Sequence, residues 1–101
     1  MGNYRVRRRT TAETKELVFE RDHWTCKHCS KPIRSEQAQL AHLIPQRKNN
    51  LRKWGKAIIH HPDNFRSACS LECNNAMQVN GPLEQERIVL YITMRIKQGY
   101  V

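Results

Sequence analysis

Apolar positions are sparse along the first half of the chain and dense along its last twenty residues. Thr10-Thr11-Ala12-Glu13 has the form of a capping box, a hydroxyl followed three residues on by a glutamate. It predicts a helix from Thr10 to about Asp22, whose few apolar residues Leu17, Val18 and Phe19 pack on one side. Residues 36–45, EQAQLAHLIP, predict a short strand with Ala38, Leu40 and His42 on one face and Pro45 as its stop. Residues 46–55 are polar and basic apart from Trp54 and read as a loop, while Lys56-Ala57-Ile58-Ile59 is apolar enough for a second short strand or a turn. Cys69 to Gln78 reads as a tight turn running into a helix, with Cys73 near its start. Asn80-Gly81-Pro82 then breaks the chain, and Pro82 suits a first helical position. A last helix is predicted from Leu83 to about Gln98, ending at Gly99, with Ile88, Val89, Tyr91, Ile92 and Ile96 as its stripe and Leu90 and Met94 at the flanks. That stripe is wider than so small a domain needs, which leaves room for a homodimer contact. Together these elements predict an α+β fold: one domain over residues 10–101 behind a basic arm at residues 1–9.

A chain of 101 residues buries little core, and domains of this size usually need a disulfide, a metal or a partner. The four cysteines supply the staple. Cys26 and Cys29 are spaced C-x2-C, and Cys69 and Cys73 are spaced C-x3-C, within the range of zinc sites. The N-terminus carries positive charge with no apolar segment behind it, which does not read as a signal peptide. Mean hydropathy is −0.78, and no apolar run approaches the roughly eighteen residues of a membrane span. The expectation is therefore a cytoplasmic protein, no membrane partner, reduced thiols and one structural Zn2+ on the four cysteines. His28, between two ligating cysteines, is expected to face solvent or a phosphate. His60 and His61 precede Pro62 and are expected in a loop, as secondary candidates for catalysis or metal binding.

Net charge is +9, from 18 Lys and Arg against 9 Asp and Glu, and the excess is clustered. Arg5, Arg7, Arg8 and Arg9 form one block. Arg47, Lys48, Arg52, Lys53 and Lys56 form a second, with no acidic residue between Gln37 and Pro62. Clustered cations on a small fold are the footprint of a nucleic-acid binder, so DNA is the expected partner.

Phosphodiester cleavage needs a group to activate water and positive charge at the leaving oxygen. Histidine suits the first task, because its unperturbed pKa lies near neutrality. The chain places His42 in A-H-L-I-P, Asn64 in H-P-D-N-F and Asn74 directly after the second cysteine pair. Over residues 24–78 this pattern resembles the HNH nucleases (ββα-metal, or His-Me finger), in their zinc-stapled branch. The resemblance implies a strand–strand–helix unit in which His42 and Asn74 face one another. His42 would be the general base, its second ring nitrogen oriented by a backbone carbonyl. Asn64 would pin the loop, and Asn74 would hold a catalytic Mg2+ or Mn2+. Many members carry an aspartate before the histidine as a further metal ligand, and Ala41 cannot supply it. Either Asn74 holds the ion with phosphate and water, or His60, His61 or Asn75 substitutes, or the chain no longer cuts. The rival expectation is a zinc-stapled DNA-binding module without catalysis. A cross-braced protein-interaction module would need more ligands than four cysteines.

Overall fold

Thr10 caps the first helix, α1 (Thr11–Arg21): its hydroxyl accepts from the Glu13 N–H at 3.1 Å, and the Glu13 carboxylate accepts from the Thr10 N–H. The structure is a computed structural model describing residues 10–100. The basic arm, with Arg7, Arg8 and Arg9, lies outside the described residues. After α1 the chain turns sharply through His23 and Trp24, both left-handed with φ of 55° and 51°. Non-glycine residues adopt that conformation at a cost, offset here by Trp24 stacking on Phe19 with ring centroids 5.0 Å apart. The turn delivers the chain to the first cysteine pair.

Two strands form the sheet. β1 (Gln39–His42) pairs antiparallel with β2 (Phe65–Ala68), in the register Gln39↔Ala68, Leu40↔Ser67, Ala41↔Arg66 and His42↔Phe65. Paired residues share a face. Ala41 and Ala68 lie on one side with Cys73 of α4 (Leu71–Ala76), in a buried cluster that also holds Cys26 and Ile33. Ser67 lies on the other side, where its hydroxyl donates to Val18 O of α1 at 3.3 Å and its N–H donates to the Asp22 carboxylate at 2.9 Å. The two-stranded sheet is thus sandwiched between α1 and α4.

Between the strands the chain folds differently from the sequence expectation. The expected loop at 46–55 is mostly helix, α2 (Lys48–Trp54), and Lys56–Ile59, expected as a short strand or a turn, is a helical turn, α3. Gly55, at φ 87°, separates the two. Helix wins here because its inward side finds partners: the buried Asn50 amide donates to Pro45 O at 2.9 Å, and Ile58 and Ile59 are buried. The second strand is Phe65–Ala68.

The last helix, α5 (Pro82–Lys97), buries Gln85 and Ile92 and packs against α3. Among the described residues no helix is long and apolar enough to cross a membrane.

Gln85 joins three segments: it accepts from the Trp54 indole N–H at 3.0 Å and donates to Val79 O at 2.8 Å. Replacing it with leucine strands both partners, at a cost of about 1–3 kcal/mol in denaturant unfolding. Trp54→Phe should then cost less in the Gln85→Leu background than in the wild type.

Candidate functional site

The C-x2-C turn is built by backbone bonds from Cys26 N to Lys31 O and from Ser30 N to Cys26 O, both 2.9 Å, beneath a bridge between Thr25 and Pro32. Ser30 takes the left-handed conformation, at φ 66°, and the Cys29 N–H points at the Cys26 sulfur from 3.5 Å. Lys27 N donates to Ser67 O at 2.9 Å, fastening this turn to β2. The second pair sits where β2 ends and α4 begins, with the Ser70 hydroxyl capping Cys73 N–H at 3.1 Å.

The four sulfurs converge, all within 4.8 Å of one another. Cys29 and Cys69 approach to 3.4 Å, and Cys69 and Cys73 to 3.8 Å. None of these is a disulfide distance. They lie around the edge of a sulfur tetrahedron about a zinc ion, about 3.8 Å for Zn–S bonds near 2.3 Å, with the Cys69–Cys73 pair at that length. The cluster can hold a metal ion such as zinc.

Protonation within the cluster is uneven. Burial resists ionisation of Cys26, but N–H groups of Cys29, His28 and Cys69 direct positive charge at its sulfur and bring its thiol down to about 6. The Cys29 thiol, followed by burial, pushes Cys69 up to about 12. One thiolate is favoured and its neighbour resists, a conflict that a divalent cation resolves by replacing protons.

At the other end of the sheet, His42 closes β1. Its ring lies 4.4 Å from the Phe65 ring and 5.7 Å from that of His60, centroid to centroid, edge-on in both cases. Nε2 is buried and has no hydrogen-bond partner among the described residues. The expected carbonyl is not there for Nε2. Burial, with the His60 charge second, pulls the His42 pKa down to about 4. The ring is therefore neutral at physiological pH, the form in which a histidine accepts a proton.

Asn64 is fully buried and fully used. Its Oδ1 accepts from Ile44 N at 2.9 Å, and its amide donates to Ile59 O at 2.8 Å and Ile44 O at 3.2 Å. With Leu43 N donating to Asn64 O at 2.8 Å, it locks the chain leaving β1 to the chain entering β2. No atom of its side chain remains for a ligand, so it acts by position.

Asn74 sits one residue beyond Cys73 on α4, half-buried, and its side chain makes no hydrogen bond to the described residues. The expectation that it faces His42 is corrected by the strand register. Ala41 points towards α4, so His42, its neighbour on a strand, points to the opposite face. Ala41 is itself completely buried, so no solvent-facing ligand fits there.

The two candidate histidines separate. His60 is exposed beside His42, while His61 is committed to structure: its Nδ1 accepts from Asp63 N at 3.0 Å and its Nε2 lies 2.9 Å from Tyr100 O. The cations Lys48, Arg52, Lys53 and Lys56 are exposed on α2 and α3, and Lys53 rests over the Trp54 ring. Arg47 is exposed and reaches Gln78, two residues past the end of α4. The motifs did not single out Arg66. It stands opposite Ala41 in the ladder and donates to Phe65 O at 2.7 Å and Asp63 O at 2.9 Å. Its only signal was position, directly after H-P-D-N-F.

Two outcomes follow for the site. Elemental analysis should find one zinc per folded chain, and Cys73→Ser or a strong chelator should abolish the cooperative thermal transition, since metal-binding energy here is folding energy. His42 should titrate near 4 by NMR. Unfolded chain takes that proton near 6.5, so it binds more protons between those values and His42 lowers stability as pH falls from 6.5 towards 4. His42→Gln should flatten that part of the stability–pH curve. Compared with protein-family models, curated proteins and solved structures, the chain matches none.

Proposed function

We propose that the chain is a metal-dependent endonuclease of the HNH type, hydrolysing DNA phosphodiester bonds. The observation that carries this reading is His42, a histidine held neutral at the end of β1, in a β1–β2–α4 unit joined at its other end by four converging sulfurs. A neutral imidazole framed at the end of a strand is in the form that takes a proton from an attacking water. Loss of such a positioned base costs about a hundred- to ten-thousand-fold in rate.

Asn64 supports the role by fixing the loops on both sides of His42. Asn74 is the side chain suited to hold Mg2+ or Mn2+, its amide having no competing hydrogen bond among the described residues. Magnesium often takes only one or two protein ligands. When bound, the ion would neutralise charge at the leaving 3′ oxygen. The products would be a 5′-phosphate and a 3′-hydroxyl. The α2–α3 cations would carry the phosphates flanking the cut.

A non-catalytic DNA-binding module is the second reading, favoured by one observation: Ala41 is buried beside the cysteines and supplies no ligand.

Supercoiled plasmid separates the two. With Mg2+ or Mn2+ the wild type should nick it, while His42→Ala loses nicking yet keeps fold, zinc and DNA affinity. Binding without cutting under any divalent ion would leave the module. Activity should hold from neutrality down to about pH 5 and fail as pH drops through about 4, where His42 takes up its proton. Replacing Lys48, Arg52 and Lys56 with alanine should weaken binding to all sequences alike. It should also reduce the log–log salt slope by about 0.9 for each phosphate that is no longer neutralised.

A further inference from the structure

Among the described residues seven large hydrophobic side chains are exposed, and Leu83, Leu90, Tyr91 and Met94 of these lie on α5. Leu83, Leu90 and Met94 recur at steps of seven and four, which places them in one stripe along the helix. Ile92 and Gln85, the buried residues of α5, are on the opposite side. The outer stripe is therefore a second apolar face, which no described residue covers. Exposed large apolar residues gathered on one helix face, here closest together at Leu90, Tyr91 and Met94, mark an interaction surface.

Charge selects the occupant. The chain as a whole is strongly basic, at +9. α5 is not: it carries Glu84 and Glu86 near its start and Arg87, Arg95 and Lys97 later, with Arg95 already bound to Asp63 at 2.9 Å. That leaves two acids and two bases on the exposed helix, so this face has no excess of cations to attract a polyanion. Its free charges differ between the ends, Glu84 and Glu86 with Arg87 beside them near the start and Lys97 at the finish. Glu86 and Lys97, eleven residues apart, flank the stripe on the same side. A second α5 laid antiparallel with Leu90 near the crossing point brings Glu86 of each copy to Lys97 of the other. The surface is self-complementary, as a two-fold contact requires.

We propose that the outer face of α5, centred on Leu90 and Met94 with Glu86 and Lys97 at its flank, is the interface of an antiparallel homodimer. This inference does not depend on the nuclease reading, and its test involves no cleavage. Sedimentation equilibrium of the zinc-loaded chain should give twice the 12.0 kDa monomer mass at high concentration, with dissociation on dilution. Leu90→Glu changes an exposed residue, and should give monomer with unchanged circular dichroism and zinc content. Glu86→Lys alone and Lys97→Glu alone should each weaken the dimer. Mixing the two variants in equal amounts should restore it, because opposite charges then meet at both ends of the flank. A wild type that stays monomeric at the highest soluble concentration overturns the proposal. So does a dimer that survives Leu90→Glu, or charge variants whose mixture associates no better than either alone.

Discussion

Everything else in this chain hangs on four sulfurs held within 4.8 Å of one another. The constraint is geometric before it is chemical. Cys26 and Cys29 belong to a turn that follows α1, while Cys69 and Cys73 belong to the junction of β2 and α4, some forty residues later. Joining them closes a long loop, and the buried cluster beneath is small: Cys26, Ile33, Ala41, Ala68 and Cys73. That cluster by itself is too small to offset the entropy of closing the loop. Four thiols at such distances also cannot all ionise, so the cluster calls for a divalent cation to satisfy it.

The far end of the sheet is fixed by a different device, an amide. Asn64 spends its whole side chain on Ile44 and Ile59, so the chain leaving β1 and the chain entering β2 are held together without metal. Between those two ties lies His42, with one ring nitrogen buried and unpaired among the described residues. An unpaired buried polar atom costs about 1–3 kcal/mol. Its persistence at a neutral, rigidly framed histidine is the kind of local expense found where a side chain is kept for chemistry.

The parts legible in the sequence are those with local causes. The Thr10–Glu13 cap, the cysteine spacings and the break at Asn80-Gly81-Pro82 each act within a few residues. α2 was not legible because its inward side is secured from afar: Trp54 finds Gln85 across thirty-one positions, and a run of lysine, arginine and asparagine otherwise resembles a loop. β2 was missed for a similar reason, since Phe65–Ala68 is a strand only opposite Gln39–His42. The mutual facing of His42 and Asn74 was misjudged although alternation along β1 decides it: once Ala41 turns inward to α4, His42 cannot. Arg66 had no motif of its own and became visible only through its position across from Ala41.

The central claim is that a single tetrathiolate metal site organises the fold, and X-ray absorption at the zinc edge of the purified chain tests it most directly. The account predicts four sulfur neighbours at about 2.3 Å and no nitrogen or oxygen ligand. Fewer than four sulfurs around the metal, or a folded chain with no metal at all, would contradict it.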